Sequence, residues 1–370
     1  MNNNLTKVGP EESKTWADIA ISGDSRYQTA VVNDGYIWQS NDYGVNWKEN
    51  TNAGKKYWNG VAINSDGRYQ TAIYGYGNIW QSNDYGVNWK ENTKAGEKTW
   101  LRIAISRSGK YHIAVAENKH IWQSNDYGVN WKENTKTGTD NKKFWSGLAI
   151  SGNGQYRAAV VYNKYIWQSD DYGANWKKIT EPGTGFWTGV AINNDGRYQT
   201  AVQSNGYIWQ SNDYGVTWEK NTKAGKKYWH EVAINDRGDI HIAIAFEFMD
   251  GYIWESNDYG VNWEKYTEAG LKNWRGIAIS SIGNRRAAFV YNENIWNWNF
   301  TMLNNHYKAI QAQSTSNLAQ EVCCPFGTTM ELQEIQAKEE AEKKKQHDLF
   351  IQIITRNRPG LARQLCPDNL

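Results

Sequence analysis

Ser82-Asn83-Asp84-Tyr85-Gly86-Val87-Asn88-Trp89, preceded by Ile79-Trp80-Gln81, decides the fold. Near-copies of it occur six times, with the aspartate at Asp42, Asp84, Asp126, Asp171, Asp213 and Asp258. The steps between them are 42, 42, 45, 42 and 45 residues, and a fixed period in the range of roughly 20–50 residues means a repeat architecture. Ile79-Trp80-Gln81-Ser82 alternates as a strand does, and Asn88-Trp89-Lys90-Glu91-Asn92 alternates again after the turn. The pattern is a hairpin. Gly44 and its equivalents can take positive φ in a tight turn, and the Asp side chain can accept hydrogen bonds from the turn's own amides. The Trp that closes each copy is a large apolar plug for the hairpin base. A residue repeated in every unit serves the unit, so the six aspartates read as structural rather than catalytic.

Each repeat can be laid out from its first tryptophan: Trp16, Trp58, Trp100, Trp145, Trp187, Trp229 or Trp274. A run such as Trp58-Asn59-Gly60-Val61-Ala62-Ile63 is strand A, the innermost. A polar turn (Ser65-Asp66-Gly67) leads to strand B, as in Tyr69-Gln70-Thr71-Ala72-Ile73. Strand C carries Trp38, Trp80, Trp122, Trp167, Trp209, Trp254 and Trp296, and strand D carries Trp47, Trp89, Trp131, Trp176, Trp218 and Trp263. These series take up every Trp in the chain except Trp298. Four short antiparallel strands repeated around an axis solve the edge-strand problem as a propeller does. Stacked radially, each sheet covers the next and the tryptophans fill the wedges. The expected fold is therefore all-β, a seven-bladed β-propeller of four-stranded antiparallel blades over residues 1–305. The seventh repeat lacks the hairpin, because the aspartate position holds Phe300. In most repeats the strand D Trp lies 11 residues before the next strand A Trp, and 11 residues before Trp16 is Leu5. Residues Asn2 to Val8 are thus expected to supply the missing outer strand.

The pattern Ser-x-Asp-x-Gly-x-x-Trp resembles the Asp-box, or BNR, repeat of sialidase-like β-propellers. The resemblance implies the fold and leaves function open, since that family includes glycosidases, sorting receptors, assembly factors and proteins with no known activity. Sialidases would bring an arginine triad gripping a carboxylate, a Tyr nucleophile paired with Glu, and an acidic acid/base. In this chain Arg26, Arg68 and Arg197, with Lys110 in the same place, sit in the A–B turns on the rim of the boxes. On the other rim only Arg102 and Arg275 lie at a strand A start; a third arginine is not evident, and the Phe/Tyr-Arg-Ile-Pro motif usual before such repeats is absent. A two-carboxylate glycosidase needs an acid and a base facing across one cleft. Asp18, Glu231, Glu247 and Asp250 are the non-repeated carboxylates near the expected channel mouth, and nothing in the sequence pairs them. His120, His230 and His241 are scattered and none reads as a ligand. No catalytic residue, metal or cofactor is expected.

A net charge of +2 gives no footprint for nucleic acid. With 21 Trp and 23 Tyr the chain has the residue usage of aromatic-rich β-structure. No apolar run is long enough to span a bilayer and no apolar h-region follows Met1, so neither membrane insertion nor secretion is expected. The sequons Asn4-Leu5-Thr6 and Asn299-Phe300-Thr301 read as chance matches on that basis. Cys323, Cys324 and Cys366 all lie beyond the repeats and lack a zinc spacing, which suits a reducing, intracellular setting. From residue 306 to 370 the composition changes to a mostly helical tail. Thr328-x-x-Glu331 resembles a capping box, a helix is expected over 329–356, and Pro359-Gly360 stops it. Its charged middle, Lys338 to Lys345, precedes an apolar end, Leu349 to Ile354, a pattern that predicts docking on a protein partner or self-association.

Residues that differ between repeats mark where a site would be. The D–A and B–C loops share one rim, and both three-residue insertions fall there: Thr135 to Phe144, and Phe246-Glu247-Phe248-Met249-Asp250-Gly251. The candidate binding rim is Tyr74, Tyr76, Glu117, Lys119, His120, Tyr162, Lys164, Glu247, Phe248, Met249 and Asp250. The expected function is a non-catalytic binding or scaffold propeller for proteins, with a glycan as a further ligand class. A sialidase-like glycoside hydrolase is the alternative. A multivalent lectin, displaying Tyr43 and its five copies at the hairpin tips, is the third.

Overall fold

The computed structural model describes residues 5–117, 120–137 and 143–299, which belong to one compact unit spanning Met1–Thr301. Lys119, the expected tail helix over 329–356 and all three cysteines lie outside the described residues. The described residues form five four-stranded antiparallel sheets and one eight-stranded sheet. The larger sheet is two four-stranded units joined where strand Arg157–Lys164 meets strand Gly185–Ile192, at Tyr162↔Phe186 and Lys164↔Gly185.

Each repeat follows the order A, B, C, D across its sheet, as in Trp58–Ile63, Gln70–Tyr74, Ile79–Ser82 and Lys90–Asn92. The innermost strands share one irregularity. Register shifts between the Trp and the second residue after it, for example between Trp58 and Gly60 and between Trp100 and Arg102. Such a bulge bends the strand and re-aims the side chains beside it. Every innermost strand ends in isoleucine, from Ile21 to Ile279, and these side chains line a 150 Å³ constriction on the axis.

The core lies between sheets rather than within them. Strand A tryptophans are at most 2% exposed. Trp58 meets Trp80 edge-on at 6.2 to 6.3 Å, as Trp100 meets Trp122. One cluster joins Ala62, Ile73 and Ile79 of the second repeat to Trp100, Ile103 and Ala114 of the third. Another joins Trp16 and Ala30 of the first to Ala287, Phe289 and Ile295 of the last, so the series closes on itself. Backbone bridges stitch successive repeats at the D–A and B–C rim, at Gly35↔Lys56, Gly77↔Lys98, Gly206↔Lys227 and Gly251↔Lys272, and Lys14↔Glu293 ties first to last. At the opposite rim Ser281 N donates to Gly23 O at 3.0 Å, again last to first.

The N-terminus supplies the outer strand of the last sheet, as the Leu5 spacing predicts. Thr6–Val8 pairs antiparallel with Ile295–Asn299 in the register Thr6↔Asn297, Lys7↔Trp296, Val8↔Ile295. Leu5 packs with Trp274 and Trp298, where the other repeats place the strand D tryptophan.

In each box the aspartate holds the turn. Asp84 Oδ1 accepts from Ser82 Oγ at 2.8 Å and from Asn88 N at 2.9 Å, and Oδ2 accepts from Asn88 Nδ2 at 2.7 Å. Ser82 Oγ in turn accepts from Gly86 N at 2.9 Å. Burial acts to raise the Asp84 pKa, but the Asn88 and Ser82 hydrogen bonds outweigh it and hold the carboxyl below its ordinary value. Stability from these contacts is present above the ordinary Asp pKa and fades as pH falls toward the lowered one.

The box tyrosines, which the sequence leaves either displayed at the hairpin tips or packed over a neighbouring strand, are packed across the repeat junction while keeping ring surface exposed. They have a partner in the neighbouring repeat: Tyr85 stacks on Tyr27 at 4.8 Å, and Tyr127, Tyr172, Tyr214 and Tyr259 meet Tyr69, Tyr111, Tyr156 and Tyr198 at 4.8 to 5.3 Å. Tyr43 has Arg285 over its ring at 4.7 Å instead. All six sit at positive φ, from 59° to 68°, which is uncommon for a bulky residue.

Candidate functional site: the axial cavity and its aromatic rim

In the first, second, third, sixth and seventh repeats, one or both of the two positions after the strand A tryptophan line the axial cavity. Across the seven repeats the second of these positions is Gly60, Gly147, Gly189 or Gly276 in four, and Asp18, Arg102 or Glu231 in the other three. At Gly147 the neighbouring strand runs close: a Cβ there would lie 2.8 Å from Val160 Cγ2 and 3.1 Å from Gly189 Cα. The three charged exceptions project into a cavity of 530 Å³ at the D–A and B–C end of the axis, lined also by Asn59, His230, Arg275 and Tyr291. The sequence names these carboxylates and arginines, and the structure brings Asp18, Glu231, Arg102 and Arg275 together. Glu247 and Asp250 are not part of the cluster. They face each other in the hairpin of the sixth repeat, and Glu247 pairs with Lys265 at 3.4 Å.

Asp18 is committed on both oxygens, accepting from Ile19 N at 2.8 Å and from Val61 N, in the next repeat, at 2.9 Å. Burial pushes its pKa up to about 6 against those two amides and the Arg102 charge. Burial pushes Glu231 up further, to about 8, helped by the Asp18 charge and opposed by Arg102. Both side chains keep part of their surface open to the cavity, which tempers the desolvation. His230 is held down to about 4 by burial and by the positive Arg275 and Arg102. Arg102 donates from Nε to Ser146 O at 3.0 Å. Arg275 is different: its guanidinium lies over Phe246 at 4.8 Å and over Tyr291 at 5.6 Å, and its buried Nε has no hydrogen-bond partner among the described residues. Burial thus favours the uncharged forms of Glu231 and His230 beside the guanidinium groups of Arg102 and Arg275.

A raised carboxyl pKa makes stability pH-dependent. Glu231 titrates from 4.5 when free to about 8 when folded, so its uncharged form contributes fully below 4.5 and the contribution fades as pH rises through 8. With the open cavity allowed for, the loss is on the order of 3 kcal/mol. Glu231→Gln is expected to flatten this slope and to be more stable than wild type at pH 9, measured by melting from pH 4.5 to 9. Parallel profiles would contradict the assignment.

Around the cavity stand exposed aromatic side chains. Tyr162 lies between Phe144 at 6.2 Å and Phe186 at 5.3 Å. Tyr57, Tyr76, Tyr228 and Tyr291 are exposed, and Phe248 and Met249 at the tip of the sixth-repeat hairpin are 76% and 77% exposed. Of the other sequence candidates, Tyr74 is half-buried against Trp58 at 5.6 Å, and His120 Nδ1 meets Glu133 Oε1 at 3.3 Å. Glu117 is exposed, and Lys164 pairs by its backbone with Gly185. The candidates thus fall into separate patches of one rim, not one cluster. Tyr57, Phe144, Phe186 and Tyr228 were missed. They share a signal: each occupies the position just before a strand A tryptophan, where the remaining repeats have Thr15, Thr99 and Asn273.

The BNR-Asp box repeat family model matches residues 166–179. Together with the sheet topology and the box geometry, the match decides the architecture. The chain carries an Asp-box repeat on a β-propeller-like fold. Among solved structures, YCF48 bound to D1 peptide is similar at TM-score 0.62 and 14% identity, covering 81% of this chain and 98% of that one. A GH74 xyloglucanase from Xanthomonas campestris is similar at TM-score 0.62 and 14% identity, covering 80% of this chain and 53% of that one. The Swd1 β-propeller domain of Myceliophteria thermophila is similar at TM-score 0.61 and 12% identity, over 80% of this chain and 100% of that one. At such identities the likeness is one of fold. No curated protein sequence matches the chain. Among the described residues no group of His, Cys, Asp and Glu is arranged to hold a metal ion, and no helix is long and apolar enough to cross a membrane.

Proposed function

We propose that the sheets form seven blades, the eight-stranded sheet counting as two, and that this propeller is a non-catalytic binding protein. Its ligand is a protein segment laid across the D–A and B–C face with an acidic side chain in the axial cavity. The observation that carries this reading is Arg275: a guanidinium over the rings of Phe246 and Tyr291, with a buried Nε that has no partner among the described residues, lining the axial cavity on the face that carries the exposed aromatic residues. Aromatic residues and arginine are the side chains that dominate protein interfaces, and a planar guanidinium suits a carboxylate. A neighbour of the same fold was solved with a peptide bound, which supports the class of ligand. The C-terminal segment, read from its sequence, is proposed as a second partner contact.

The test is selection of displayed peptides on the full-length protein and on residues 1–305, which separates capture by the face from capture by the tail. Enriched peptides are expected to carry an acidic residue among apolar ones. They should bind Arg275→Gln at least about tenfold more weakly, the worth of one charge-assisted contact of roughly 1.5–3 kcal/mol. Peptides without acidic residues, or bound equally by the variant, contradict the reading.

One observation favours a hydrolase as a second reading. Asp18 and Glu231 share a cavity and titrate apart, and separated carboxyl pKa values are what general acid–base pairs need. Against it, both oxygens of Asp18 are taken by backbone amides. No turnover of fluorogenic glycosides, sialosides included, is expected; robust turnover abolished by Glu231→Gln would make the hydrolase the better account.

A further inference from the structure

At the opposite rim, among the Asp boxes, equivalent residues of different repeats line two grooves of unequal volume. One groove has a volume of 1050 Å³ and lies between the second and third repeats, lined by Tyr69, Asn88, Lys94, Tyr127 and Val129 among others. The other, of 410 Å³, lies between the fifth and sixth repeats and is lined by the equivalent Tyr198, Thr217, Lys223, Tyr259 and Val261.

Each groove has a rigid aromatic surface. Tyr69 and Tyr127 meet at 4.8 Å, as do Tyr198 and Tyr259. Tyr127 is 43% exposed and Tyr259 48%, so each stacked pair leaves ring surface open. Ordering costs little when side chains are already fixed. The polar walls are fixed as well. Asn92 Nδ2 donates across the junction to Gly128 O at 2.8 Å, and Asn221 Nδ2 donates to Gly260 O at 2.8 Å. Lys94 Nζ donates to Asn130 Oδ1 at 2.6 Å, and Lys223 Nζ to Asn262 Oδ1 at 3.1 Å.

Charges along the outer strand cancel in both places, with Lys90 beside Glu91 and Glu219 beside Lys220. A groove of mixed aromatic and polar lining, balanced in charge and carrying an exposed stacked ring, suits a ligand with one apolar face and many neutral hydroxyls. It lacks the cationic surplus a polyanion needs, and its polar walls interrupt the continuous apolar surface that a hydrophobic segment needs.

We propose that these inter-repeat grooves bind a neutral oligosaccharide, one in each, so that the chain carries at least two equivalent carbohydrate sites. Linked sites of this kind favour a repeating polysaccharide, since a second contact by the same strand is intramolecular. The proposal is independent of what the axial cavity binds.

Calorimetric titration of the full-length protein with neutral hexasaccharides of glucose, mannose or N-acetylglucosamine tests it. At least one of the three is expected to bind with a stoichiometry of two or more. Val129 and Val261 line the grooves, about half-exposed, with hydrogen bonds only through their backbones. Val129→Arg and Val261→Arg should each lower the stoichiometry by one, and the double variant by two, with the melting temperature unchanged. Independently of any variant, the bound sugar should protect Tyr127 and Tyr259 from nitration by tetranitromethane. Absence of binding by all three sugars, undiminished stoichiometry in the double variant, or unprotected tyrosines would overturn the proposal.

Discussion

Trp100→Ala is expected to destabilise the protein by about 3–5 kcal/mol, the range for truncating a buried Trp or Phe to Ala. Trp100 has no solvent exposure and sits in the wedge between the second and third repeats, against Ile73, Ile79 and Ala116. Its Nε1 donates to Gly77 O at 2.9 Å. The substitution therefore opens a cavity between two sheets and leaves Gly77 O without that donor. The sheets are held in place by their neighbours around the ring, so the site cannot collapse without shifting strand A. Denaturant titration should show the loss in the midpoint, and melting should fall by roughly 6–15 °C. A change of less than about 1 kcal/mol would mean that the tryptophan wedges do not hold the ring.

Deleting Asn2 to Val8 is expected to have the second-largest effect, of about 3 kcal/mol. Burial of Leu5 and Val8 contributes roughly 1.5 kcal/mol each, and the three paired residues of Thr6–Val8 are lost with them. The deletion also bares the edge of Ile295–Asn299 and uncovers Trp298, which Leu5 packs against. An unpaired, aromatic edge strand is a template for another chain. The truncated protein should melt lower and self-associate, read together by calorimetry and light scattering. An unchanged melting temperature in a monomeric product would show that the ring does not depend on this strand.

The fold was legible because its signals are local and repeated. Each box carries its turn, its cap and its plug within eight residues, and Leu5 could be placed by counting back from Trp16. What lies between repeats was not legible in the same way. Tyr85 could be placed at a hairpin tip, but its partner, Tyr27, is in another repeat, and no local pattern announces which residue it stacks on across a junction. The axial cluster was half-legible. Asp18, Glu231, Arg102 and Arg275 stood out as departures from the repeat. That they share one cavity depends on the bulge after each tryptophan and on the ring bringing the first, third, sixth and seventh repeats to one axis. The aromatic rim went partly unseen for a different reason. Tyr57, Phe144, Phe186 and Tyr228 immediately precede the core tryptophans, where an aromatic residue reads as more core. The strand alternation, which turns neighbours to opposite faces, argues instead that they point outward.

Hydrogen–deuterium exchange of the full-length protein, with and without a peptide selected on it, tests the central claim most directly. The account predicts protection in the loops that surround the axial cavity: the segments around Tyr57, Phe186, Tyr228 to Glu231, Phe246 to Gly251 and Tyr291. Protection confined to the Asp-box hairpins, with those loops unchanged, would contradict it.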